Sequence, residues 1–370
     1  MNLVPTEEQE QLRDAVRRFL ADTVPLPEVR RLVEEGPAPD RVVWRRLAGE
    51  LGVTGLIVPE RHGGAGAGAA ELAVVLEEMG AALAPVPFLS SAVLATGLLL
   101  RLDETADAAA LLRGVAEGDT VVAVAPWWKP AAGTVSADPR GRLHGDVACV
   151  VDGQAADVLL VVAGPPGSPR VFAVDAGAAG LRRTTLTTLD LTRGAARIEL
   201  DGAAARPLDG AGTAAALAAA WDLAAVGLAA EQLGVARRCL DMTVEYARTR
   251  VQFGRPIGSF QAVKHGLADL YVDCELAESA VRHAAWTADA DPANLPVAAA
   301  LAVASITAFH AADQAVHFHG GIGFTWEHDL HLFYRRAKAA EHLLGGPAAH
   351  LARLADRLAE AGAARSPAVI

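Results

Sequence analysis

The sequence has few aromatic residues, few cysteines and no excess of positive charge. Only 5% of its 370 residues are aromatic whereas 52% are hydrophobic, so Ala, Leu and Val supply most of the apolar content. Small side chains of this kind favour closely approaching helices over one large aromatic core. The formal net charge of −11 argues against nucleic acid as a partner, because binding its phosphates requires clustered Lys and Arg.

Cysteine usage and the distribution of apolar residues limit the possible compartment. The cysteines are Cys149, Cys239 and Cys274. Their wide spacing without a CxxC pair predicts neither a disulfide framework nor a thiolate metal site. The acidic start of the chain lacks the apolar segment of a signal peptide, and the apolar stretch from Ala214 to Ala230 is interrupted by Asp222. We expect a cytoplasmic protein without membrane insertion.

The first part of the chain, residues 1–118, has the pattern of a helical domain. Thr6 and Gln9 have the spacing of a capping box, and apolar residues then recur at helical intervals. Asp40 is suited to cap a second helix, and a third runs from Leu72 to Leu83.

The pattern changes over residues 119–208, where short β-rich runs alternate with Gly, Pro and Asp turns. These runs are TVVAVA, VACVV, DVLLVVA, VFAV and RIEL. Long helical segments return over residues 209–370. The order predicts an α+β fold, mainly α, with an N-terminal helical domain, a small central β domain and a C-terminal four-helix bundle. A Rossmann sheet is disfavoured, since strands and helices do not alternate.

The run RVQFG combines residues suited to a dinucleotide. Arg250 ends a long helix, and Phe253 and Gly254 follow. A guanidinium makes a two-pronged contact with pyrophosphate, Phe offers a face to adenine or flavin, and Gly permits close approach of the backbone. The alternative is a salt-bridged Arg at a helix end beside a core Phe.

The run HFHGGIGF places Gly320 and Gly321 between a helix ending near His317 and one beginning near Trp326. Glycine pairs at such a junction expose backbone N–H groups that bind anions. The alternative is a simple turn with left-handed glycines. The nearby histidines lack a carboxylate or Cys at ligand spacing, so we predict no metal site. They are His317, His319, His328 and His331.

Together, these motifs resemble the acyl-CoA dehydrogenase family. The matching runs are RVQFGRPIGSFQAVKH at 250–265, HGGIGF at 319–324 and YRRAK at 334–338, with a further similar run at 50–80. The resemblance implies FAD held at a subunit interface, in dimers or dimers of dimers. It also implies oxidation of an acyl-CoA to the 2,3-enoyl-CoA. In the family a carboxylate removes the α-proton, the flavin accepts the β-hydride, and an electron-transfer flavoprotein receives the electrons.

The resemblance also assigns the contacts of this chain with the ADP part of FAD. Carried over from the family motifs, the contact residues are Arg250, Phe253, His317, Gly320 and Gly321. His317 stands where the family commonly has Gln.

The catalytic base of the family has no counterpart at its usual positions. Proton removal from the α-carbon requires a positioned carboxylate, yet the two family positions hold Leu344 and Ala224. The nearest acids are Asp222, Glu231 and Glu341. On an ideal helix Asp222 points about 200° away from position 224, and Glu231 lies on nearly the same face but about 10 Å along the axis. Glu341 starts a short loop.

The central domain departs from the family as well. Where the family has polar segments that contact the flavin ring, this chain has VAPWWKPAAGTVS at 124–136 and DVACVVDG at 146–153. Trp127 and Trp128 either stack on a ring or form an edge of the β domain packed on the bundle.

These departures suggest a division of labour between subunits. The chain resembles the smaller, base-lacking subunit of actinobacterial heterotetrameric acyl-CoA dehydrogenases, several of which act on steroid side-chain CoA thioesters. LDLTRGA at 189–195 is compatible with that group. Our hypothesis is a subunit that supplies ADP-side FAD contacts to a base-bearing partner. The alternatives are a homo-oligomer with Glu231, Glu341 or Asp222 as base, and a flavin-free scaffold or acyl-CoA-binding relative.

Overall fold

The computed structural model describes residues 3–36, 39–126, 135–165, 167–208, 210, 212–290 and 297–365. Helices occupy both ends of this described chain, and two small sheets lie between them. The predicted fold class, α+β and mainly α, is confirmed.

The N-terminal helices begin where the sequence provides caps. The described helices are α1 (Glu7–Thr23), α2 (Leu26–Glu35), α3 (Arg41–Arg46), α4 (Ala69–Ala81), α5 (Thr96–Leu99) and α6 (Ala106–Ala116). The Thr6–Gln9 capping box is present, and Asp40 accepts hydrogen bonds from the first backbone N–H groups of α3. Two π-helical segments continue these elements, Leu47–Leu51 after α3 and Phe88–Ala95 before α5.

The β region forms two sheets of four strands each among the described residues. The strands are β1 (Val122–Val124), β2 (Val135–Ala137), β3 (Leu143–Val151), β4 (Val158–Ala163), β5 (Arg170–Asp175), β6 (Leu181–Thr185), β7 (Ala195–Ala203) and β8 (Arg206–Pro207). Their orders are β1-β4-β5-β8 and β2-β3-β7-β6. All five predicted runs contain strands, and Trp127 and Trp128 lie outside the described residues. The N–H of Val122 donates to Ser91 Oγ at 3.0 Å, which fastens the first sheet to the π-helical segment.

The C-terminal part is built around one long helix. Its elements are α7 (Thr213–Thr249), the hairpin β9 (Val251–Gln252) and β10 (Arg255–Pro256), α8 (Gln261–Ala290), α9 (Val297–His319), α10 (Leu330–Ala340) and α11 (Gly346–Arg365). Helix α7 is long and apolar enough to cross a membrane, but 72% of its apolar stretch is buried inside the fold, as in a core helix. Helix α10 begins later than the predicted Trp326, because a 3₁₀ turn at Gly320–Phe324 comes first.

Helices α4 and α7 cross with their backbones in contact. A Cβ on Gly80 would lie 2.0 Å from the carbonyl oxygen of Glu231, and one on Gly234 would lie 1.9 Å from that of Glu77. Glycine is therefore required on both helices at this crossing. The contact joins the N-terminal helices directly to the C-terminal bundle.

Gly234→Ala is expected to destabilise the fold by about 1–3 kcal/mol, the usual cost of overpacking a close contact. This loss outweighs the gain of about 1 kcal/mol in helix propensity. Thermal or chemical unfolding of the purified protein measures it. Gly49→Ala is the matched control, since an added Cβ there meets nothing within 4 Å. Equal unfolding midpoints for the wild type and Gly234→Ala would contradict the prediction.

Candidate functional site

The hairpin after α7 presents an aromatic side chain in a strained conformation. Val251 pairs with Pro256 and Gln252 with Arg255, which leaves Phe253 and Gly254 as the turn residues. Both have positive φ, 51° and 76°. Two-residue hairpins favour this geometry, but Asn and Gly adopt it far more readily than a bulky residue does. Strain of this kind is typical of functional sites.

Three arginines lie at or just after the end of α7. Among the described residues, no carboxylate pairs with Arg250 or with its neighbours Arg248 and Arg255. Phe253 is 92% exposed, and its ring meets that of Phe260 edge-on, with 6.1 Å between the ring centroids. The alternative of a salt-bridged Arg beside a core Phe is therefore wrong. An open guanidinium next to an open aromatic face suits an anionic dinucleotide.

The double-glycine turn leaves its backbone accessible. Gly320 has φ of 66°, and a Cβ added to Gly320 or Gly321 would meet nothing within 4 Å. Gly323, by contrast, packs against the backbone of Val316. The turn thus uses a left-handed glycine, as the simpler interpretation had it, and also exposes peptide groups that a bound anion can approach.

The structure brings the two motifs together at one end of the bundle. Tyr246, one helical turn before Arg250, stacks on His319 with ring centroids 4.1 Å apart. Its hydroxyl donates to the carbonyl of His319 at 3.4 Å. His317 is exposed on the same helix end, and its ring meets Phe318 at 5.7 Å. The contact of Tyr246 with His319 therefore places the start of the double-glycine turn beside the last turns of α7.

The two positions at which the family resemblance predicts a base hold aliphatic side chains in buried surroundings. Ala224 is fully buried within α7, and Leu344 is buried in the turn before α11 with φ of 49°. The carbonyl of Leu344 accepts a hydrogen bond from Nε2 of His350 at 2.7 Å. Burial lowers the pKa of His350. Neither position offers a carboxylate for proton transfer.

Glu231 is held by two arginines. Arg193 donates to both of its carboxylate oxygens, at 2.7 and 2.6 Å, and Arg336 donates to one of them at 3.0 Å. Burial on its own raises the pKa of Glu231, but the two guanidinium charges outweigh burial and keep that pKa below its ordinary value. The carboxylate stays ionised with its oxygens occupied, which makes it a poor acceptor for a substrate proton.

The other two acids are also paired. Asp222 accepts from Arg353 at 2.9 Å, and a second nitrogen of that arginine lies 2.6 Å from its other oxygen. Glu341 accepts from Lys338 at 2.7 Å, one helical turn away. None of the three predicted candidate bases presents an unpaired carboxylate.

Family models match the N-terminal and C-terminal parts of the chain. Residues 6–119 match the model described as the acyl-CoA dehydrogenase N-terminal domain, and residues 210–359 match the acyl-CoA dehydrogenase C-terminal domain. The chain belongs to the acyl-CoA dehydrogenase family.

Several relatives match this acyl-CoA dehydrogenase over nearly its whole length. Acyl-CoA dehydrogenase IpdE2 of Mycobacterium tuberculosis is 36% identical, covering 97% of this chain and 99% of that protein. A chain in the crystal structure of the ChsE4-ChsE5 complex from Mycobacterium tuberculosis is 36% identical with a TM-score of 0.87, covering 100% of both chains. The Tcur3481-Tcur3483 steroid ACAD G363A variant is similar at 34% identity and a TM-score of 0.84, covering 96% of this chain and 99% of that one.

Members of the acyl-CoA dehydrogenase family are oxidoreductases that act on acyl-CoA and use FAD as cofactor, so this chain belongs to such an enzyme. The residues at the end of α7 and in the double-glycine turn fit the ADP part of that cofactor. They provide a guanidinium without an acidic partner in the described chain, an exposed aromatic ring and two uncrowded glycines.

A buried charge network around Glu231 went unpredicted, although the two segments that supply its arginines were recognised as motifs. Arg336, from YRRAK, lies 2.9 Å from Asp190 of LDLTRGA. It also donates to Thr192 Oγ1 at 2.5 Å. The sequence shows that charged residues lie among apolar ones in these segments. It does not show which distant residue pairs with each charge, because local spacing carries no information on distant contacts.

Asp152, in DVACVVDG, is a second buried acid that the sequence did not single out. Its carboxylate accepts a hydrogen bond from Ser90 Oγ at 2.6 Å. Burial raises the pKa of Asp152 to about 6, against the opposing effects of Ser90 and of the Arg193 charge. This group belongs to the junction of the β region with the N-terminal helices.

Glu231→Gln is expected to destabilise the protein by about 3–5 kcal/mol, because Arg193 and Arg336 would remain buried with one carboxylate fewer. Since the folded pKa of Glu231 is lowered, its charge stabilises the fold above the unfolded pKa, and this contribution is lost as pH falls towards the folded value. The difference in unfolding free energy between wild type and variant should therefore be smaller at about pH 4 than at about pH 7.

The control for this prediction is Glu50→Gln, which breaks an exposed pair with Arg46 and should destabilise the protein far less than Glu231→Gln does. Chemical denaturation of both variants provides the comparison. A Glu231→Gln protein with unchanged stability and abolished turnover would instead identify Glu231 as a base.

The variant Phe253→Asn should change the affinity for FAD without lowering the stability of the fold. Asn tolerates positive φ, so the variant should fold at least as stably as the wild type. It loses the aromatic face, and its FAD dissociation constant should rise by about tenfold, the scale of an aromatic contact. Thermal unfolding and flavin fluorescence titration measure the two effects. Phe253→Tyr is the control that keeps the ring, and FAD affinity equal in all three proteins would refute the assignment.

Proposed function

We propose that this chain is the base-lacking subunit of a heteromeric, FAD-dependent acyl-CoA dehydrogenase. It supplies the ADP side of a flavin site, and a different subunit supplies the carboxylate that removes the α-proton. One observation carries the proposal: Ala224 and Leu344 stand at the base positions, and every acid proposed as a substitute is ion-paired.

Five residues of this chain hold the ADP part of FAD in the proposal. Arg250 contacts the pyrophosphate, Phe253 offers a face to the adenine or flavin, and His317, Gly320 and Gly321 line the turn beside them. When bound, FAD supplies the hydride acceptor. An electron-transfer flavoprotein then receives the electrons from the assembled enzyme.

The relatives support a heteromeric assembly and a substrate class. The ChsE4-ChsE5 structure is a complex of two differently named chains, and the Tcur3481-Tcur3483 protein is a steroid ACAD. We extend both features to this chain and propose a steroid side-chain CoA thioester as substrate. We also propose that the chain divides into domains at residues 1–118, 119–208 and 209–370, and that the enzyme is cytoplasmic.

Expression of the chain alone and together with the acyl-CoA dehydrogenase-like product of a neighbouring gene tests the proposal. The flavin-to-protein ratio from absorbance and turnover with an artificial electron acceptor are measured for both preparations. We expect the co-purified complex to hold FAD and turn over acyl-CoA, and the lone chain to do neither efficiently. Arg250→Ala in the complex should lower flavin loading.

Full flavin loading and turnover by the lone chain would overturn the heteromeric proposal. In that case Glu231, Glu341 and Asp222 are replaced one at a time by their amides, and the variant that loses turnover while keeping its fold identifies a displaced base. A complex that forms without any flavin would favour the scaffold or acyl-CoA-binding alternative.

A further inference from the structure

A single arginine of the N-terminal domain reaches the segment that follows the double-glycine turn. Nε and Nη2 of Arg30, on α2, donate to Oδ1 of Asp329 at 3.2 and 2.5 Å. Nη1 of the same guanidinium donates to the backbone carbonyl of Trp326. One side chain thus fixes both ends of the short segment that leads into α10.

The neighbouring arginine shows that this arrangement is not imposed by the helix. Arg31 pairs with Glu28 and Glu35 on its own helix, as exposed helical arginines commonly do. Arg30 crosses to a different part of the fold instead. Its side chain and that of Asp329 are each 28% exposed, so their contact is better shielded from water than an ordinary surface pair.

The segment gains little support from the core. Trp326 is 57% exposed and Phe324 is 72% exposed, and the preceding glycines have no side chains to pack. Tyr246 fixes the start of the turn through the ring and carbonyl of His319. Arg30 fixes its far end. Between these two contacts, Gly323 packs against the backbone of Val316, and the Trp326 ring lies 4.4 Å from that of His331.

We infer that Arg30 is a positioning residue for the flavin site, acting through Asp329 and the Trp326 carbonyl on the turn that carries Gly320 and Gly321. A glycine turn that is ordered before binding loses less conformational entropy when its ligand arrives. The N-terminal domain thereby sets FAD affinity from a helix outside the binding motifs. This inference rests on the proposed ADP-side role of the turn.

Four variants of the co-purified complex test the inference: Arg30→Ala, Arg30→Lys, Asp329→Asn and the matched control Arg31→Ala. Flavin fluorescence titration gives the FAD dissociation constant, and steady-state assays at saturating FAD give kcat and KM. Arg30→Ala should raise the dissociation constant by about tenfold, the scale of a hydrogen bond to a charged group. Arg30→Lys should recover part of this loss, and Arg31→Ala should stay within about twofold of wild type.

The substrate KM and kcat should not change at saturating FAD, because the contact orders the turn without taking part in substrate binding. Asp329→Asn keeps the contact with the Trp326 carbonyl, so its effect should be smaller than that of Arg30→Ala. An FAD dissociation constant unchanged in Arg30→Ala overturns the inference, as does an equal rise in Arg31→Ala. If Arg30→Ala does not fold, unchanged affinity in both Arg30→Lys and Asp329→Asn overturns it.

Hydrogen exchange separates this inference from the proposed function. In the flavin-free chain, amides of residues 319–330 should exchange faster in Arg30→Ala than in wild type or Arg31→Ala. A wild-type complex that binds no FAD refutes the proposed function. The exchange rates then show, independently of FAD, whether Arg30 orders the turn. Equal rates in Arg30→Ala and wild type would show that Arg30 does not order the turn.

Discussion

The buried ion pair between Arg336 and Glu231 joins three parts of the fold. Their side chains are only 3% and 5% exposed, so water contributes almost nothing to solvating either charge. Arg193 brings the loop before β7 to the same carboxylate, and Asp190 from that loop meets the same guanidinium. The β region, the central helix α7 and the short helix α10 thus share one electrostatic unit. Removing any one member leaves a buried charge without its partner.

This network explains why Glu231, a candidate base on α7, serves structure instead of proton transfer. A general base must be able to take up a proton, whereas the arginines hold Glu231 ionised and occupy its oxygens. The C-terminal end of α7 differs, because its arginine is not ion-paired in the same way. There Arg250 has no acidic partner within the described chain, and the nearby glycines are uncrowded. Helix α7 therefore carries ion-paired acids along its length and, at its end, an arginine without an acidic partner in the described chain. This arrangement suits binding of an anionic cofactor but not proton abstraction.

Local hydrogen bonding decides which features the sequence could predict. The Thr6 capping box, the Asp40 cap and the end of α7 before Arg250 depend on neighbouring residues, and all three are present. Strand β6 was missed because LRRTT is largely exposed and lacks alternating apolar residues. The Arg336 network joins segments that are far apart in sequence, so spacing carries no signal for it. The two flavin motifs were linked through family resemblance, and the contact of Tyr246 with His319 supplies the physical link.

The conformation of Phe253 bears on whether such a chain still binds a flavin. Its φ of 51° is costly for a bulky side chain, and its ring is almost wholly exposed, so neither the hairpin nor the core benefits from it. Gly or Asn at the same position would form this turn with less strain. In a flavin-free scaffold, an exposed, strained aromatic ring beside Arg250, which has no acidic partner among the described residues, would therefore only destabilise the fold. A ligand that stacks on the ring and neutralises the guanidinium gives both features a physical purpose, which favours a flavin-binding subunit.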